Sequence, residues 1–174
     1  MRKPRSIGVA CVAIAVCVWL APSAFAGQRQ KAMTDQTFVQ KAVVGGLAEV
    51  QLGKMAAEHA VSFAVQQFGQ RMVEDHGHAN QALMALVKQK GLSVPTALDK
   101  KHQKAATHLA TLHGVAFDRA YIQQMVKDHE ADVRLFRTQA QEGHDPELKR
   151  FAADTLPTLE AHLKMARSLV KQQP

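Results

Sequence analysis

Cysteine is nearly absent from this chain of 174 residues: there are two, Cys11 and Cys17, both within the first twenty positions. Aromatic residues make up only 5%, with one Trp and one Tyr, and Gly (10) and Pro (6) are few. A chain so poor in strand and turn formers is expected to be all-helical. Its 47% hydrophobic and 21% charged residues exclude a disordered chain, and its length gives room for one domain and one core. There is no Gly-rich phosphate loop, no Gly-x-Ser-x-Gly and no His-Glu-x-x-His, which removes the commonest nucleotide, serine-hydrolase and zinc-protease chemistries. The basic residues are dispersed and aromatics scarce, so no nucleic-acid partner is expected.

What is present begins with an export segment. Arg2, Lys3 and Arg5 precede an uncharged apolar run from Ile7 to Leu20, and Ala24-Phe25-Ala26 fits the small-x-small cleavage rule. This order of parts predicts a signal peptide over residues 1–26, with the mature chain starting at Gly27. The apolar run is too short for a bilayer, which takes about 20 residues, so no transmembrane segment is expected after cleavage. Both cysteines leave with the leader, and with them any disulfide, thiolate nucleophile or Cys-based metal site. Removing its three basic residues from 22 leaves 19 against 15 acidic ones, a balance of +4 over 148 residues. The expected location is the periplasm, either free or weakly associated with anionic envelope surfaces such as the outer membrane; a homo-oligomer is compatible with these features. All nine histidines stay in the mature chain, which raises the question of a metal.

Residues 27–34 are polar and expected to form a flexible tail ahead of a domain spanning 35–174. Proline is then missing until Pro95, which permits long helices. A first helix is expected from Asp35 to Val61, capped by Thr34, and a second from Ser62 to Lys90, stopped by Gly91. Thr96-Ala97-Leu98-Asp99 resembles a capping box opening a shorter helix to His113. A third long helix is expected from Val115 to Glu142. Asp145-Pro146-Glu147 is a strong start for a fourth, reaching Lys171 with a kink at Pro157. Phe68, Met72, Ala79, Leu83 and Leu86 share one face, as do Phe117, Tyr121, Met125, Val133 and Phe136, and Leu148, Phe151, Ala152, Leu159, Leu163 and Ala166. Four such helices predict an antiparallel four-helix bundle, with the shorter helix as a crossover between two hairpins. A weak internal repeat agrees: Phe38 and Glu49 match Phe117 and Asp128, and Glu74-Asp75-His76 matches Glu160-Ala161-His162. A second near-identity, Met72–His76 against Met125–His129, falls outside that register and suggests a shared task in the core.

At about 100° per residue, each long helix sends a His or carboxylate inward. The candidates are Glu49 on the first, Asp75 and His76 on the second, Asp128 and His129 with Asp132 close by on the third, and His162 on the fourth. Glu74, His78 and Glu160 point outward, His108 and His113 are expected at the surface, and the methionines are core filler. Buried ionisable groups cost several kcal/mol unless paired or bound to metal. The six inward residues Glu49, Asp75, His76, Asp128, His129 and His162 could therefore hold a transition metal such as iron, manganese, zinc or copper, or satisfy one another as a metal-free salt-bridged network. A standard di-iron centre wants Glu-x-x-His on two helices. Here the spacing is Glu-x-His or Asp-His, which turns the paired side chains apart.

These residues carry a resemblance. Gly45-Gly46-Leu47-Ala48-Glu49, Leu52-Gly53-Lys54-Met55-Ala56-Ala57, Met72-Val73-Glu74-Asp75-His76, Gly114–Tyr121, Met125-Val126-Lys127-Asp128-His129 and Leu156–His162 together resemble bacterial domain-of-unknown-function family 4142 over about residues 35–171. The resemblance implies an exported, ferritin-like bundle without an established activity. It marks Glu49, Asp75, His76, Asp128, His129 and His162 as the family's characteristic polar positions, without assigning their role. Two functions fit: an exported bundle binding a transition metal, in envelope stress or metal homeostasis, or a metal-free structural module of the envelope. A helical di-metal oxidase is a weaker third.

Overall fold

The computed structural model describes residues 33–172. The expected signal peptide and most of the expected tail lie outside these residues. Among the described residues there are five helices: α1 (Asp35–His59), α2 (Phe63–Lys90), α3 (Lys100–Ala110), α4 (Gly114–Glu142) and α5 (Pro146–Gln172). The fold is all-α, a ferritin-like four-helix bundle. α1 pairs with α2 and α4 with α5, while α1–α4 and α2–α5 contacts close the bundle and α3 bridges α1 and α4. Among the described residues, no helix is long and apolar enough to cross a membrane.

The ends of the helices follow local chemistry. The Thr34 side chain accepts from the Thr37 amide and caps α1, while Met33 packs against the core, so both belong to the folded part rather than to the tail. Gly91 takes φ of 63° and ends α2. Its amide and that of Leu92 return to the Lys88 and Val87 carbonyls, a pattern that needs a left-handed residue. Asp145 caps α5 through the Glu147 and Leu148 amides, and α5 runs on through Pro157. The crossover helix is shorter than expected and starts later. Asp99, not Thr96, is its cap, because the Asp99 carboxylate accepts from the His102 amide.

Two turns are held by buried or half-buried carboxylates. Asp118 of α4 accepts from the Val61 and Ser62 amides at 3.1 and 2.8 Å. At the opposite end Asp35 accepts from the His144 and Asp145 amides and the Gln139 side chain, and Lys90 bridges Asp145 and Glu147. α1 and α2 approach closely at Gly53 and Gly69. A Cβ on Gly69 would lie 2.7 Å from the Gly53 carbonyl oxygen and 2.8 Å from the Ala56 Cβ.

The core is divided in two. One apolar cluster gathers Leu52, Phe68, Met72, Phe117, Tyr121 and Met125. The other gathers Phe38, Leu83, Val133, Phe136, Leu148 and Leu159, with Phe38 edge-on to Phe136 at 5.1 Å. Along each long helix, the polar inward residue falls between the members of the two clusters: Glu49 before Leu52, His76 between Met72 and Leu83, His129 between Met125 and Val133, and His162 between Leu159 and Ala166. The bundle thus carries a polar layer across its middle. Each large apolar side chain buried on either side contributes about 1.5–3 kcal/mol, which offsets the cost of that layer.

Candidate metal centre

Three imidazoles form the layer. His76 from α2, His129 from α4 and His162 from α5 are all buried, and their ring centroids are 5.3–5.4 Å apart in a triangle. One ligand-capable atom from each lies within 4.8 Å of the others. His76 Nε2 is 3.4 Å from His129 Nε2. Two nitrogens each bound to one ion at 2.0–2.1 Å in a tetrahedral arrangement sit about 3.3–3.4 Å apart, so this pair is already spaced for a shared ion.

Neighbouring groups orient the rings. His129 Nδ1 donates to the Met125 carbonyl oxygen at 2.9 Å, which leaves its Nε2 lone pair facing His76. His162 Nε2 lies 2.8 Å from Asp75 Oδ2, and Asp75 is also 3.7 Å from the Arg71 guanidinium. With Nε2–H given to Asp75, His162 Nδ1 presents a lone pair, and that buried atom has no hydrogen-bond partner. A histidine whose second nitrogen is fixed by a carboxylate or backbone carbonyl is the usual form of a metal-bound imidazole. Phe68 stands against both His129 and His162 with ring centroids 6.5 Å away, closing one side with an apolar wall.

Burial sets the charge. It is the largest influence on all three histidines and lowers each below 6.5; His129 falls to about 4, with His162 nearby adding to the effect, and His76 falls well below its ordinary value. For His162 the Asp75 hydrogen bond opposes burial without overturning it. The rings are therefore neutral at pH 7 and their lone pairs are free to bind. Glu49 is pushed well above the usual carboxylate range by burial and then by Asp132 and Asp128. Asp132 is pushed up to about 7 by burial, with Asp128 adding and Lys101 opposing.

The six candidates from the sequence occupy distinct places. His76, His129 and His162 converge. Asp75 supports His162 from the rim. Glu49 stands behind His129, its Oε1 3.9 Å from Nδ1 and its Oε2 unpartnered. Asp128 turns away to Lys101 of α3 at 2.9 Å and to Gln124. Glu74, His78, Glu160, His108 and His113 are exposed. The sequence reading missed Asn80 and Thr155, although Asn80 lies four residues from His76 and Thr155 seven from His162, on the same helical faces. Gly46 makes room for Asn80: a Cβ there would strike its side-chain amide.

The three-imidazole layer can be set beside known folds. Copper-bound CopM superposes with a TM-score of 0.70 in the Cu(II) form, at 20% identity, over 82% of this chain and 99% of that one. The DUF305 fragment from Deinococcus radiodurans gives 0.70 at 15% identity over 82% and 99%. The secreted DUF305 protein from Streptomyces coelicolor gives 0.69 at 14% over 82% and 96%. At these identities the likeness is one of fold. No curated protein matches the chain. The profile of "Domain of unknown function (DUF4142)" matches residues 20–169, a span that takes in every member of the polar layer and nearly all of the five helices. The chain belongs to the DUF4142 family.

Proposed function

We propose that this protein is an exported metal-binding bundle that holds one copper or zinc ion through His76, His129 and His162, with Asp75 fixing the His162 ring. The observation that carries it is the convergence of three buried, neutral imidazoles, one of which, His162, has a buried nitrogen without a partner. A metal-free network leaves that nitrogen and Glu49 Oε2 unsatisfied, a cost of about 1–3 kcal/mol for each such group. An ion at the centre would accept the imidazole lone pairs. All-nitrogen ligation without thiolate suits copper and zinc ahead of iron and manganese, which favour carboxylate oxygen, and the carboxylates here stand outside the triangle. The copper-bound forms of CopM give the same fold a precedent for holding that metal.

The test is metal content of the mature, untagged protein by elemental mass spectrometry after loading and desalting. One ion per chain is expected for wild type and for His78→Ala, which alters an exposed histidine, and none for His76→Ala. Equal metal in His76→Ala and His78→Ala would overturn the assignment. An empty wild type would leave the polar layer as a structural device.

A further inference from the structure

The basic residues are dispersed along the sequence, but the fold gathers five of them. Arg134 and Arg137 of α4 and Lys164, Arg167 and Lys171 of α5 line one groove of about 880 Å³ between the two helices. The groove has two acidic groups, Glu130 and Glu160, and each is taken by an arginine: Arg167 lies 2.8 Å from Glu130 and Arg137 2.6 Å from Glu160. Arg134, Lys164 and Lys171 are exposed, and none of the three forms an ion pair among the described residues. Five of the chain's 22 basic residues precede residue 33, which leaves 17 against 15 acidic ones in the folded part. The groove alone therefore carries a larger positive excess than the folded part as a whole.

Where α4 begins and α5 ends, the surface turns apolar. Among the described residues, the large apolar side chains that stand exposed are Val61, Phe63, Met84, Val115 and Val170. All but Met84 sit at one end of the bundle. The Val61 and Ser62 amides donate to Asp118, which sets the α1–α2 turn against the start of α4. Ala60, Val65, Phe117 and Leu169 share one apolar cluster, which brings the last turn of α5 to the same place. Phe63 is 69% exposed and Val61 61%. Single exposed apolar residues are ordinary, but several gathered on one tip mark an interaction surface. The tip and the groove are continuous through α5, where Lys164, Arg167 and Lys171 follow at helical spacing and Val170 adjoins the last of them.

We infer that this end of the protein docks on an anionic phospholipid bilayer, with Phe63 and Val61 entering the interface and the α4–α5 side leaning onto the headgroups. A soluble acidic protein would match the groove but leave the apolar tip in water. A neutral bilayer would cover the tip but not the charges. An anionic bilayer meets both, since apolar burial and attraction of cations to the surface add. No described helix is long and apolar enough to cross a bilayer, so the contact is made at its surface. The imidazole layer takes no part, and the inference stands apart from the metal centre.

Vesicle flotation of residues 27–174 tests it, since the apolar run from Ile7 to Leu20 would bind lipid by itself. Vesicles of phosphatidylcholine alone are compared with vesicles of equal parts phosphatidylcholine and phosphatidylglycerol, and circular dichroism checks that each variant is folded. Wild type is expected to bind the anionic vesicles at least about tenfold more tightly than the neutral ones, and to release them as salt rises. Lys164→Glu with Lys171→Glu reverses two unpaired cations and is expected to lower that affinity about tenfold or more. Phe63→Ser is expected to lower it about threefold or more. Phe63→Trp gives residues 27–174 their only tryptophan, and its emission is expected to shift to the blue on anionic vesicles as the ring leaves water. Equal binding to the two kinds of vesicle, or none to either, would overturn the inference, as would wild-type affinity in the folded double variant. Binding untouched by Phe63→Ser, with no blue shift in Phe63→Trp, would overturn it too and leave the groove as a site for a soluble polyanion.

Discussion

Replacing His162 by leucine separates a histidine kept for function from one kept for stability. In the folded chain His162 makes one hydrogen bond, to Asp75, and buries one nitrogen with no partner. The Asp75 side chain is 31% exposed and also pairs with Arg71, so the loss of His162 leaves it solvated rather than stranded. The bond lost is therefore discounted to about 1 kcal/mol. Against it stands relief of the orphaned nitrogen, about 1–3 kcal/mol, and the added apolar burial of leucine against Phe68, on the order of 1 kcal/mol. The net for His162→Leu in the presence of chelator is a gain of about 1–3 kcal/mol. With metal at a hundredfold over its dissociation constant wild type gains about 2.7 kcal/mol and the variant gains none, so the difference between them shifts by that amount in favour of wild type. Urea unfolding of both proteins, with chelator and with copper or zinc, reads all four numbers. A loss of more than about 2 kcal/mol for the variant in chelator would refute the reasoning, because it would show the imidazole to be a net stabilising member of a metal-free network. Equal metal stabilisation of the two proteins would refute it from the other side.

Acid should weaken the metal-free fold in a defined window. His129 titrates near 4 in the folded chain against 6.5 when free, so its contribution is fully present above pH 6.5 and is lost as pH falls from 6.5 towards 4. The expected loss is about 3 kcal/mol from this ring alone, and a urea midpoint unchanged between pH 7 and pH 4.5 in chelator would contradict it. Two glycine-to-alanine changes on α2 should have opposite signs. Gly77→Ala meets nothing within 4 Å and should stabilise by about 0.5–1 kcal/mol through helix propensity. Gly69→Ala drives a methyl into the Gly53 carbonyl and Ala56 and should destabilise by about 1–3 kcal/mol; a Gly69→Ala protein as stable as wild type in thermal unfolding would show that α1 and α2 separate at no cost.

Much of the frame is legible in the sequence because helix ends are written locally. Thr34, Gly91 and the Asp145-Pro146 pair each act within four residues of their own position, so pattern and cap agree with the structure there. The crossover helix is where two caps competed: Thr96 and Asp99 both fit, and only the carboxylate of Asp99 reaches the His102 amide. Inward direction is also a local property, which is why helical phase alone picks out Glu49, His76, His129 and His162, all of them buried. Partners are not local. Asp75 and Asp128 each precede a histidine in the same five-residue pattern, yet one supports His162 on α5 and the other pairs with Lys101 on α3. Nothing within either helix distinguishes them; the difference is made by which helix lies alongside.

The same contrast explains the near-identity of residues 72–76 and 125–129, which the internal repeat left unplaced. Both segments put a methionine and a histidine one turn apart on the inward face. Met72 and Met125 are fully buried in one apolar cluster, and His76 and His129 meet across the bundle at 3.4 Å. The pattern therefore does one job twice: the methionine anchors each helix in the apolar half, and the histidine one turn later enters the polar layer. His162 completes the triangle from α5, where Ala166 one turn beyond occupies the same apolar cluster. Three helices thus register their imidazoles to one level by packing the adjacent turn into that cluster. A layer of neutral rings placed in this way is held by hydrocarbon contacts more than by its own few hydrogen bonds. That is the arrangement expected when the rings must be positioned for a ligand rather than for one another.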